Sequence, residues 1–241
     1  SLSPFNKGSI ISRINRNEKV KVDEMFSEVF QLAEKISGDT DGAFDITVAP
    51  MVNAWGFGFK TGNPPTRQTI DSLRAIVGFH NVALQDGYVV KKNPKTMLDC
   101  SAIAKGYGTD VVARFLKKKG VQNFMVEIGG EIVVNGNSEK LQPWRIGINK
   151  PTDDSLNTNQ AIQDVVSVSN IAMATSGNYR NFYYKNGKKY AHTIDPKTGY
   201  PVQHNILSAT VFADDCATAD AYATSFMVLG LGGAKKILEK H

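Results

Sequence analysis

Cysteine is scarce: Cys100 and Cys216 are the two in 241 residues, and no Cys-x-x-Cys pair occurs. That excludes a disulfide scaffold and leaves the redox compartment unreadable from cysteine. No apolar run approaches the ~20 residues of a membrane span. No signal peptide opens the chain either, although its abrupt start at Ser1-Leu2-Ser3 leaves a removed export segment open. Charge of neither sign dominates, since 28 Lys and Arg against 23 Asp and Glu give +5. The lysines gather at expected helix ends, as in Lys117-Lys118-Lys119 and Lys235-Lys236, where cations meet the C-terminal dipole. This distribution argues against nucleic acid as a partner and equally suits a phosphate-bearing ligand. Internal repeats, low-complexity tracts and linkers are also missing. With 41% hydrophobic and 21% charged residues, the composition is that of an ordinary soluble globular protein with enough chain to bury a core.

Local patterns read as a single α+β domain of mixed or antiparallel sheet with packed helices. Residues 23 to 36 carry Met25, Phe26, Val29, Phe30, Leu32 and Ala33 near helical spacing, with Gly38 as the stop. Thr47 is the expected N-cap of a short helix holding Pro50 in its first turn. After the turn-rich TGNPPT, a further helix is expected over about 67 to 77. A hairpin turns at Asp86-Gly87, followed by a short strand TMLD. Ser101 or Asp99 should cap a helix from about 102 to 119. NFMVEIGGEIVVNG reads as strand with a bulge or close backbone approach at Gly129-Gly130. WRIGINKP is another strand, 152 to 160 a surface loop, and VVSVSNIAMATSG continues β. A hairpin centres on Asn186-Gly187, ILSATVFA is a strand, and CATADAYATSFMVLG is a helix ending at Gly230.

Three constellations carry chemistry. Asp220 and Thr224 lie four apart and share a helix face, offering hard oxygen ligands to a magnesium-like ion that completes its shell with waters and phosphates. The bland reading is an acid near a helix N-terminus and a packed threonine. Leu98 to Gly108, LDCSAIAKGYG, is a strand-to-helix junction whose exposed N–H groups, with Lys105, can take a phosphate; it lacks Walker spacing, and such junctions also exist for packing alone. His192 ends a hairpin strand that runs into Asp195-Pro196-Lys197-Thr198-Gly199, a place where a base is both positioned and reachable. Its bland counterpart is a turn in which Asp195 bonds the backbone after it.

Together with Gly42-Ala43-Phe44-Asp45 and the strand Glu127-Ile128-Gly129-Gly130-Glu131, these segments resemble the ApbE family of FAD:protein FMN transferases, in the order GAFD, LDxSAIAKGYG, EIGG, AHTIDPxTGYP, ADAxAT. The likeness runs from about Phe5 to Leu231. It implies binding of FAD and Mg²⁺, with Mn²⁺ as the alternative, and transfer of FMN to a threonine hydroxyl of an acceptor protein with release of AMP. Carried over residue by residue, the resemblance assigns the metal to Asp220, Thr224 and the carbonyls of Ala102 and Ala223. It gives flavin contacts to Phe5, Ala43, Phe44, Asp45, Asp99, Lys105 and Ile194, and the role of base to His192. The acceptor is expected to carry an Asp/Ser-Gly-Ala/Ser-Thr motif. Asp41-Gly42-Ala43 begins like one, but Phe44 stands where the threonine would be, so self-modification there is excluded.

The resemblance also implies a place at the periplasmic side of the bacterial envelope, with any membrane attachment through a lipid anchor outside this chain. The family's first strand, which contributes a methionine to flavin binding, and its C-terminal end are missing from this chain. Two alternatives stay open on these residues: hydrolysis of FAD to FMN and AMP at the same site, and non-catalytic FAD binding. An older thiamine-synthesis label for the family has no support in these residues, and Cys100 is read as a small buried residue with no role.

Overall fold

The computed structural model describes residues 1–57, 64–151, 161–178, 182–185 and 188–241. In chain order the helices and strands are α1 (Ile10–Asn15), α2 (Glu24–Asp39), α3 (Ala49–Ala54), α4 (Arg67–Arg74), the hairpin β1 (Val82–Gln85) and β2 (Tyr88–Lys91), and α5 (Ala104–Lys118). There follow β3 (Phe124–Ile128), β4 (Glu131–Asn135), β5 (Trp144–Asn149), β6 (Ile162–Val168), β7 (Ile171–Gly177), β8 (Phe182–Lys185), β9 (Lys188–Ala191), β10 (Ser208–Ala213) and α6 (Cys216–Leu238). Among the described residues every strand pair is antiparallel, and the largest sheet runs β10-β7-β4-β3.

Side-chain alternation along this sheet decides what each face meets. Ile132 and Val134 of β4, with Met173 of β7, lie under Ile146 and Trp144 of the β5–β6 ladder. Val133 and Ala172, one residue out of phase, pack with Phe124, Ala113 of α5 and Cys216 of α6. The opposite faces of one sheet thus hold two separate cores, and α5 and α6 lie side by side on the second. A larger apolar cluster joins α1 and α2 to Leu98, Cys100 and Ile103 ahead of α5, and to Ala217 and Ala221 of α6.

Several boundaries differ from expectation. Gly38 does not stop α2, which continues to Asp39 after its Asp23 cap; the packed face of the helix outweighs a single glycine. Thr47 does not cap α3: its hydroxyl donates to Asp45 Oδ1 and accepts the Gly78 amide, and the cap position falls on Val48. Helix α4 ends at Arg74, three residues early. TMLD forms no strand; the Asn15 side chain instead pairs with both the amide and the carbonyl of Leu98. Nor do Asp99 and Ser101 cap α5, because Asp99 Oδ1 closes a turn on the Ser101 amide and hydroxyl while Ile103 takes the cap position.

Gly129-Gly130 is the two-residue turn of the β3–β4 hairpin rather than a bulge, with φ of 65° and 101°. What reads as one β run splits at Ser169-Asn170, so that β6 pairs with β5 and β7 joins the main sheet. Helical geometry in α6 breaks at Gly230, as expected, but a further stretch carries the element on to Leu238. The Asp86-Gly87 hairpin forms as read. The 152–160 loop, residues 61–63 and the Asn186-Gly187 turn centre lie outside the described residues, while β8 and β9 pair as that hairpin requires.

Candidate active site

A cavity of about 490 Å³ opens where the segment after α2, the start of α5, the face of α6 and the end of β9 converge. Helix α6 begins at an Asp215 cap that accepts the Thr218 amide. Its first amides, from Cys216 and Ala217, donate at 2.8 Å to the two oxygens of Asp110 on α5. In return the Gly106 amide of α5 donates to Asp220 Oδ2 at 3.1 Å. The helices approach so closely that a Cβ at Gly106 would lie 2.3 Å from the Cys216 carbonyl oxygen, so only glycine fits. The helical-spacing pair and the small-residue helix start, far apart in sequence, therefore meet.

Asp220 is only 3% exposed. Burial, and next the charge of Glu131, push its carboxyl up to about 6, against the pull of Lys105 and the Gly106 amide. Thr224, one turn on, shares a 3.0 Å hydrogen bond with Ser176 of β7. Behind Lys105, Glu131 Oε1 accepts from its ammonium at 2.5 Å, while Glu131 Oε2 is buried with no hydrogen-bond partner among the described residues. Burial pushes the Glu131 carboxyl up as well.

Asp45 is similarly enclosed but fully engaged. Oδ1 accepts from the Thr47 amide and hydroxyl at 2.7 Å each, and Oδ2 from the Phe79 amide at 2.8 Å. Its carboxyl is raised by burial against these bonds. The Asp99 amide donates to the Ile46 carbonyl at 2.7 Å, which ties the GAFD segment to the approach to α5.

His192, also lining the cavity, follows β9 and meets the Phe57 ring edge-on at 6.5 Å between centroids. Ile194 packs with Met51, Trp55, Ile70 and Val77, and the Trp55 indole donates to the Gly199 carbonyl, bracing the following turn. Asp195 accepts the Lys197 amide there, the structural role weighed for it.

Of the residues singled out in the sequence, Phe5, Ala43, Phe44, Asp45, Asp99, Ala102, Lys105, His192, Ile194, Asp220 and Thr224 all line this cavity. Ala223 does not; it is fully buried on α6. Phe5 is 78% exposed at the edge. Ser176 and Glu131 went unassigned. Glu131 had a legible signal, a lone acid in phase with Val133 at the start of the apolar strand EIVVN, whereas nothing local marks Ser176. Cys100 and Cys216 are buried, and burial pushes the Cys100 thiol up to about 12, which fits an inert role. No helix among the described residues is long and apolar enough to cross a membrane.

Comparison with known proteins agrees with this architecture. Residues 1–241 match the ApbE family. The FAD:protein FMN transferase of Vibrio cholerae is 40% identical over 234 residues, covering 95% of this chain and 69% of that protein. That of Haemophilus influenzae is 40% identical over 250 residues, covering all of this chain and 71% of its own. Among solved structures, the flavin transferase ApbE from Vibrio cholerae superposes with a TM-score of 0.88 at 38% identity, over 100% of this chain and 77% of that one. The apo flavinyl transferase ApbE of Pseudomonas stutzeri gives 0.88 at 32% identity, over 100% and 75%. An antiparallel α+β fold shared over the full length, together with a family match from Ser1 to His241, means that this chain belongs to the ApbE family.

Proposed function

We propose that this protein is an FAD:protein FMN transferase that moves the FMN half of FAD onto a threonine hydroxyl of an acceptor protein and releases AMP, with a magnesium ion as its cofactor. The observation that carries the reading is one cavity lined by two chemically distinct sets of residues. Buried Asp220 with Thr224 and Lys105 makes one set, and Phe57, Ile194 and His192 the other. A diphosphate suits the first, and a flat aromatic ring beside a base suits the second.

The donors fit a small hard cation. Among the described residues no group of three or more His, Cys, Asp or Glu side chains is gathered for a metal, so an all-side-chain cage is not the arrangement. Among the described residues, two buried carboxylates, Asp220 and, behind the cavity wall, Glu131, share the charge of Lys105. That deficit of positive charge, in a cavity also lined by Thr224 and Ala102, matches magnesium's habit of taking one carboxylate and filling its shell with waters and substrate phosphates. When bound, the ion would neutralise the diphosphate oxygens and ease departure of AMP.

The chain's own residues do the rest. Asp220 and Thr224 hold the cation, with the Ala102 carbonyl as a further oxygen. Lys105 places a point charge at the diphosphate. His192 takes the proton from the acceptor hydroxyl as its oxygen bonds to the FMN phosphorus; the phosphoanhydride bond breaks, and the oxygen on the adenosine side leaves with AMP. Apolar side chains of Val48, Val52 and Phe57 line the cavity and would disfavour water as a competing nucleophile. The bacterial envelope as the place of action rests on the family resemblance; recovery in the cytosolic fraction alone would exclude it.

The test is incubation with FAD, Mg²⁺ and a peptide carrying an Asp/Ser-Gly-Ala/Ser-Thr motif, read by mass spectrometry. A gain of one FMN on the peptide threonine, matched by AMP, is expected. Free FMN with an unmodified peptide would make the protein an FAD pyrophosphatase instead, and intact bound FAD with no AMP would make it a carrier.

A further inference from the structure

Glu131 has a place in the fold that stability does not explain. It is 1% exposed, yet Oε2 has no hydrogen-bond partner among the described residues. By contrast, both carboxylate oxygens of Asp45 and both of Asp110 accept hydrogen bonds from backbone amides. A buried carboxylate with an idle oxygen is a liability unless it serves something else.

What it touches is Lys105. As the first residue of β4, Glu131 points to the same side as Val133, toward α5 and α6. Its Oε1 takes the Lys105 ammonium at 2.5 Å. From the other side, the Gly129 turn leaves room for the lysine stem: with φ of 65°, a Cβ there would sit 3.3 Å from Lys105 Cδ. Lysine is a flexible stem with three N–H donors, and this one is half exposed. Without an anchor its ammonium would sample solvent.

We propose that Glu131 is a positioning residue for Lys105, holding the ammonium at the cavity wall so that its remaining donors meet the FAD diphosphate. The inference rests on the reading of the cavity as an FAD site. Glu131 brings a negative charge toward a phosphate, but paired with Lys105 it is neutralised at close range. What remains is the rotamer freedom of a lysine surrendered before FAD arrives.

Equilibrium FAD binding, followed by flavin fluorescence in EDTA, tests this in the wild type, Glu131→Met, Glu131→Gln, Lys105→Met and the Glu131→Met/Lys105→Met double variant, with the melting temperature of each unliganded protein alongside. Glu131→Met should weaken FAD binding about tenfold, the scale of one lysine's conformational entropy. Glu131→Gln keeps a carbonyl acceptor at the same place and should stay within about threefold of wild type. Lys105→Met should lose at least as much as Glu131→Met, and the double variant no more than Lys105→Met. Glu131→Met should not melt earlier, because it removes a buried acid with an unsatisfied oxygen.

Unchanged or tighter FAD binding in Glu131→Met, with Lys105→Met weakened, overturns the positioning role and leaves the FAD site standing. So do losses that add in the double variant, or a fall in melting temperature that tracks the loss of affinity. Wild-type protein that binds no FAD with or without Mg²⁺, or Lys105→Met with undiminished affinity, removes the FAD reading itself and the proposal with it.

Discussion

The segment after α2 and the first turns of α6 each bury one aspartate at the wall of the same cavity. Asp45 is 7% exposed and Asp220 3%, and burial raises both carboxyls. Their hydrogen bonding differs. Asp45 accepts three donors that lock the GAFD segment to Thr47 and Phe79, whereas Asp220 accepts the Gly106 amide alone and faces the charge of Glu131. Burial and pKa direction therefore do not separate an acid that builds the wall from one that acts at it. Unused acceptor capacity does, because a buried carboxylate with lone pairs left over calls for a further role, such as holding a ligand or positioning a neighbouring cation.

The widest break in that comparison should come from Asp220→Ala. If the idle oxygens belong to a cation site, Mg²⁺-dependent AMP release should fall at least about a thousandfold, while circular dichroism and the melting temperature in EDTA hold. Retained activity would remove the metal site. His192→Ala should lower kcat by about 10²–10⁴-fold and leave FAD affinity within a few-fold; an equal loss in both would make His192 a binding residue.

Asp45→Ala should instead show itself in folding. Leaving the Thr47 and Phe79 amides unpaired costs about 3 kcal/mol, measurable as a lower urea midpoint, and an undisturbed midpoint would place Asp45 with Asp220 among the acting acids.

The smallest effect separates the pair by pH. Folded Asp220 holds its proton up to about pH 6, against 3.8 as the ordinary value. The folded state therefore binds the extra proton between those values, and stability falls as pH rises through that window. Asp220→Asn should accordingly stabilise the EDTA-treated protein by about 2 kcal/mol at pH 7.5, and the gain should vanish as pH drops below about 4. A gain that persists at pH 3.5 would have another source.

Much of this site was legible along the chain, for identifiable reasons. The hairpin at Asp86-Gly87 and the helix of Asp220 follow from turn chemistry and periodicity acting over a few residues. Several of the misreadings share a cause: a side chain found a partner far away in sequence. Asn15 satisfies Leu98 across 83 residues and so removes the need for a TMLD strand. Thr47, apt as a cap, is drawn into the Asp45 turn and the Gly78 amide. The split at Ser169-Asn170 is invisible in an even run of β-formers because it depends on which neighbour each half pairs with.

By itself the sequence determined the helices, the hairpins and the residue types able to bind a diphosphate and a hard cation, since propensity, turn chemistry and side-chain donors are local properties. Tertiary structure alone decided which of those groups would be satisfied. Whether Asp45 or Asp220 keeps acceptor capacity, and whether Glu131 finds Lys105, depends on amides and ammonium groups brought in from distant segments, and a hydrogen bond exists only where two chains of contacts close on the same point.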